Sequence, residues 1–127
     1  MPKIGIIRCE KNADKCPLTA CFAAMAGRKA AFEIYEEHCV PAGVFTCRCP
    51  GDGVVEMANI LKKKGTEVIH FCTCTFATRT GEGWSMENGG FCEDINKSIA
   101  RVHEDTGIPC VKGTAHLPRG YEIQKWG

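Results

Sequence analysis

The chain has 127 residues, 44% hydrophobic and 24% charged, which suits a single domain over 1–127 with a core of its own. Its 16 basic and 15 acidic side chains leave a net charge of +1, so it lacks the positive surface that nucleic acid or anionic lipid requires, and neither is expected as a partner. No run approaches the roughly 20 apolar residues of a membrane span, and the start Met1-Pro2-Lys3-Ile4 lacks the apolar stretch of a secretory signal, so a cytoplasmic location is expected.

Lys3-Ile4-Gly5-Ile6-Ile7-Arg8 is a short apolar run rich in β-branched residues, the pattern of a strand buried on both faces, and it ends at Cys9. Leu18, Phe22, Met25 and Phe32 then recur at helical spacing and predict a first helix reaching about Tyr35. Val40-Pro41-Ala42-Gly43-Val44-Phe45-Thr46 reads as a second strand, and Pro41, which cannot donate to a ladder, places it at a sheet edge. After the turn Cys47-Arg48-Cys49-Pro50-Gly51, Asp52 is the expected N-cap of a second helix with Val54, Ala58 and Leu61 on its apolar face and Gly65 at its end.

Glu67-Val68-Ile69-His70-Phe71-Cys72 is the third strand, followed by a glycine-rich stretch from Thr78 to Gly90 with no periodicity, expected to be the mobile part. Phe91, Ile95, Ile99 and Val102 make a third helical stripe, which Gly107-Ile108-Pro109 breaks before a last strand, Cys110-Val111-Lys112-Gly113-Thr114. The order βαβαβαβ with right-handed crossovers predicts an α/β fold, a three-layer, flavodoxin-like (Rossmann-like) domain with a parallel four-stranded sheet in the order 2-1-3-4. Ligands of such sheets bind at the carboxyl ends of the strands.

Ten cysteines in a chain with a full core point away from a disulfide scaffold and towards metal binding or thiol chemistry in a reducing compartment. On the expected frame Cys9 closes the first strand, Cys47 and Cys49 the second, Cys72 and Cys74 the third, and His116 follows the fourth. Neighbouring strand ends lie about 4.8 Å apart, close enough for side chains from adjacent strands to share an ion. Both close pairs are C-x-C, so the C-x-x-C of thioredoxins and of common zinc knuckles is missing. A cysteine phosphatase loop is excluded too, because Cys74 and Arg79 have four residues between them where five are needed, and Lys15 stands where Cys9 would need arginine. No glycine-rich phosphate loop is present.

Cys21, Cys39 and Cys110 read as core residues, and Cys16 and Cys92 as residues at helix starts, where a thiolate is stabilised. His38 and His103 read as solvated and His70 as a hydrogen-bonded core group, which leaves His116 as the candidate ligand. Glu10, Asp52 and Glu93 lie near candidate ligands but read as solvated acids.

Ile6-Ile7-Arg8-Cys9, Asp14-Lys15-Cys16-Pro17, Cys49-Pro50-Gly51, Cys74, Gly90-Phe91-Cys92 and Thr114-Ala115-His116 together resemble the CGGC domain family across nearly the whole chain. The resemblance implies a cysteine- and histidine-based zinc site without an assigned reaction, and adds weight to Cys9, Cys16, Cys49, Cys74, Cys92 and His116. Where the family carries Cys-Gly-Gly-Cys this chain has Thr46-Cys47-Arg48-Cys49, so Cys49 matches the second cysteine and Cys47 is displaced by one. On extended backbone one residue turns a side chain to the other face, and Cys47 is expected to contribute less than Cys49. The reading of the sequence is a metal-binding protein, zinc first, with metal candidates Cys9, Cys47, Cys49, Cys74, Cys16, Cys92 and His116. The alternatives are an iron–sulfur cluster for electron transfer or redox sensing, or a metal-free thiol–disulfide oxidoreductase with a protein redox partner.

Overall fold

A computed structural model describes residues 1–49 and 51–127, so Pro50 of the turn after the second strand lies outside the described residues. The elements run β1 (Lys3–Cys9), α1 (Thr19–Gly27), β2 (Val40–Cys47), α2 (Val54–Lys63), β3 (Val68–Phe71), β4 (Thr78–Thr80), β5 (Gly83–Ser85), α3 (Ile95–Thr106), β6 (Cys110–Lys112) and β7 (Gln124–Trp126). β2, β1, β3 and β6 are parallel neighbours in that order, which is the expected 2-1-3-4 arrangement with β2 at the edge.

The expected four-stranded sheet needs correction, because β7 adds a fifth strand, antiparallel to β6. β7 is three residues long and mostly exposed, so it shows no apolar pattern; Trp126 and Tyr121 hold the segment by packing against the core. The glycine-rich stretch likewise contains an antiparallel hairpin, β4–β5, in which Thr80 lies opposite Gly83. The Thr80 hydroxyl donates to the Gly83 carbonyl at 2.7 Å and accepts from the Glu82 N–H at 3.2 Å, a side-chain turn that needs no hydrophobic alternation.

α1 is also shorter than its stripe suggested. Leu18 and Arg28 both take left-handed backbone at its ends, and a separate 3-10 stretch, Ala30–Ile34, carries fully buried Phe32. The run Thr19-Ala20-Cys21-Phe22-Ala23-Ala24-Met25-Ala26-Gly27 is apolar nearly all round, so periodicity cannot choose its inner face. Cys21, Ala24 and Met25 face inward and Phe22 stays 37% exposed. Gly53, rather than Asp52, caps α2, and Phe91 precedes α3 instead of joining it. α2 and α3 end near Gly65 and Gly107 as expected, both with positive φ.

Side chains alternate across a strand, and this sorts the core into two layers. Ile7, Ile69 and Phe71 meet α2 and α3 through Val54, Ala58, Leu61, Ile99 and Val102. Ile4, Ile6 and Cys72 meet α1 and Phe32 on the opposite face. His70 falls on this second face, stacked on Phe32 with ring centroids 4.3 Å apart, fully buried, and bonded to Tyr35 Oη at 2.7 Å and to the Gly113 carbonyl at 2.8 Å.

Candidate metal centre

The parallel register sets Cys9 opposite Cys47 at the carboxyl ends of β1 and β2. Both lie in step with Ile7, which faces α2 and α3, and both line a cavity of about 40 Å³ with Cys49, Cys92, Ser98 and Phe71. Cys47 therefore shares the cavity with Cys49, and the expectation that it turns to the other side of the sheet is not met. The β2 register sets Cys47 beside Cys9, and the turn in which the Gly51 N–H donates to the Arg48 carbonyl at 2.6 Å brings Cys49 to the same cavity.

Cys92 reaches this cavity from the segment before α3. The Phe91 N–H donates to the Cys74 carbonyl at 2.9 Å and the Cys92 N–H to the Thr75 carbonyl at 3.0 Å, which fastens the segment to the turn after β3. Gly90 permits the approach, because a Cβ there would stand 2.5 Å from the Phe76 nitrogen and 2.6 Å from that of Ala77, with the Cys74 carbonyl oxygen also in the way. Gly90→Ala should force the segment off the turn, break both bonds and cost about 1 to 3 kcal/mol, read as a lower denaturant midpoint together with faster alkylation of Cys92.

Burial, reinforced by the neighbouring sulfurs of Cys92, Cys9 and Cys49, pushes the Cys47 thiol up to about 11. Burial also raises the Cys9 thiol, against a backbone hydrogen bond from Lys11 that lowers it, and the sulfurs of Cys49 and Cys74 both lie near enough to add to the rise.

The remaining sequence candidates lie elsewhere. Cys16, Cys74 and His116 line a second cavity of about 140 Å³ on the α1 face, together with Cys21, Cys72 and Trp84. His116 has a left-handed φ of 53° and stacks on the Trp84 ring at 5.2 Å. Arg8 borders both cavities, donating to the Thr46 hydroxyl at 3.1 Å and to the Cys16 carbonyl at 2.9 Å, so it ties the end of β2 to the Cys16 loop. The candidate ligands thus share one sheet edge but divide between its two faces, with Cys9 within electrostatic reach of Cys74 on the other side.

The sequence reading leaves Cys21 in the core and sets Cys72 at the end of the third strand without counting it as a ligand, yet both belong to the α1-face group. Cys72 lines this second cavity with Cys21 and Cys74, and its ionisation is linked to both of theirs. Hydrogen bonding from Cys72, then from the Thr114 hydroxyl at 3.2 Å and the Ala115 N–H, holds the Cys21 thiol below its ordinary range, while Cys72 is pushed up. Parity would have revealed this: Phe71 faces α2 and α3, so residue 72 faces α1, where Cys21 stands one turn before Met25. Cys110 is fully buried with its thiol pushed up to about 12 by burial, and Cys39 is half-buried, raised likewise.

A sequence profile of the CGGC domain matches residues 3–115. The chain belongs to the CGGC domain family. No curated protein and no solved structure matches it. The cysteine-rich character of a CGGC domain is consistent with metal binding, and the donors of this one suit a soft ion, four thiols around one small cavity. Among the described residues, no three His, Cys, Asp or Glu side chains already stand as a metal shell. The donor chemistry therefore fits while the arrangement is open, with Cys49 still exposed at the rim. Among the described residues no helix of this CGGC domain is long and apolar enough to cross a membrane.

Proposed function

We propose that this CGGC domain binds one zinc ion through Cys9, Cys47, Cys49 and Cys92. The observation that carries the reading is the convergence of these four cysteines, from two adjacent strand ends, the following turn and the segment before α3, on a single cavity. Thiolates select soft or borderline ions over magnesium or calcium, and a cavity of about 40 Å³ suits one ion better than an iron–sulfur cluster. Bound zinc would supply a cross-link among β1, β2 and the entry to α3. Cys9 and Cys47 are positioned by the sheet, Cys92 by the bonds of its segment to the β3 turn, and exposed Cys49 is left to swing in and complete the set.

Elemental analysis of protein purified without oxygen tests this. One zinc per chain is expected, with no colour. Iron with sulfide and a brown solution would favour a cluster, and neither metal would leave thiol chemistry alone. Zinc held at about 100 times its dissociation constant should stabilise the fold by about 2.7 kcal/mol, measurable as a higher melting temperature that a chelator reverses.

A further inference from the structure

We propose that Cys21 and Cys72 form a second site, a dithiol that reacts with small hydroperoxides, on the face of the sheet opposite the Cys9, Cys47, Cys49 and Cys92 group. Cys21 lies in the first turn of α1, at the electropositive helix end, with its sulfur 3.2 Å from the Thr114 hydroxyl. Cys72, directly after β3, is 1% exposed and lines the cavity together with Cys21 and Cys74. Cys21 and Cys72 line the same cavity, and neither residue is taken up by the proposed zinc site.

The cavity decides the class of oxidant. At about 140 Å³ it exceeds the roughly 30 Å³ that a liquid water molecule occupies several times over. It therefore has room for hydrogen peroxide or a short alkyl hydroperoxide. Its wall also presents Asn12 and Arg8, polar side chains able to hold the peroxide oxygens.

The Cys21 sulfur attacks the nearer peroxide oxygen and the O–O bond breaks. The departing hydroxide takes the thiol proton, leaving a sulfenic acid on Cys21 and one water. The Cys72 sulfur then attacks Cys21 sulfur, the S–O bond breaks, and the second hydroxide leaves with the Cys72 proton as water. Two thiols and one hydrogen peroxide give one disulfide and two waters, the sulfurs losing the two electrons that the peroxide gains. Cys72 pairs with Cys21 in preference to Cys74, because a bridge across one intervening residue bends the backbone away from relaxed disulfide geometry.

The test treats air-free protein, with and without zinc, with one equivalent of hydrogen peroxide and maps the product by acid quench, alkylation and mass spectrometry. A loss of 2 Da with a Cys21–Cys72 cross-link, equally fast in both samples, is expected. In Cys72→Ser the first step should stop as a gain of 16 Da on Cys21, and Cys74→Ser should still form the cross-link. A bridge between other cysteines, no bridge at all, or protection of Cys21 and Cys72 by zinc would each overturn the proposal. Failure to bind zinc would leave the zinc-free arm readable, so the two proposals fail separately.

Discussion

Cys47→Ser and Cys49→Ser should each weaken zinc binding by roughly 100-fold or more, with neither variant markedly milder than the other. Structural zinc sites bind with about 10 to 16 kcal/mol, so one ligand in four carries about 3 kcal/mol, or two powers of ten in affinity. The family pattern favours Cys49 alone, since it matches the second cysteine of the name-giving motif. The register argues for both: Cys47 pairs with Cys9 across β1 and β2, and Cys47 and Cys49 line one cavity. Competition against a chromophoric chelator at fixed pH compares the two. A loss at Cys49 with wild-type affinity in Cys47→Ser would put Cys47 outside the ligand set. Cys16→Ser serves as the control on the α1 face and should bind zinc as the unaltered chain does.

The order of the four parallel strands could be read because each is a short apolar run followed by a helix, and right-handed crossovers leave few ways to arrange them. β7 and the β4–β5 hairpin could not. Their strands have three residues each and are held by an edge register, a threonine turn and Trp126, none of which leaves a periodic trace. The site was half legible in the same sense. The rule that ligands gather at strand carboxyl ends locates Cys9, Cys47 and Cys74 at one edge, but an edge has two faces. Which face each thiol takes depends on counting residues from the last buried position of its strand. For loop residues such as Cys92 it depends on contacts like that of Gly90 with the β3 turn, which join residues distant in sequence.

The protein should lose about 3 kcal/mol of stability through His70 alone as the pH falls from 6.5 to about 4. His70 is fully buried, and burial holds its imidazole down at about 4, against a partial rise from its bond to the Gly113 carbonyl. The neutral ring satisfies both neighbours: one nitrogen donates to the Gly113 carbonyl and the other accepts from Tyr35 Oη. Protonation would cost the acceptor and place a charge against Phe32. Above pH 6.5 the folded and unfolded chains both keep this ring neutral, so stability does not depend on its titration. Below it, the unfolded chain takes up a proton that the folded chain refuses, so folding weakens as the pH falls until the folded ring itself titrates near 4. A depression of about 2.5 units at 1.36 kcal/mol per unit gives the magnitude. Denaturant unfolding at steps between pH 7 and 4 measures it, with His70→Asn as the comparison, since asparagine keeps a donor for Gly113 and does not titrate. The variant should be less stable at pH 7 yet lose about one proton's worth less of slope between pH 6.5 and 4. Parallel curves for the two proteins would mean that His70 takes up its proton without unfolding.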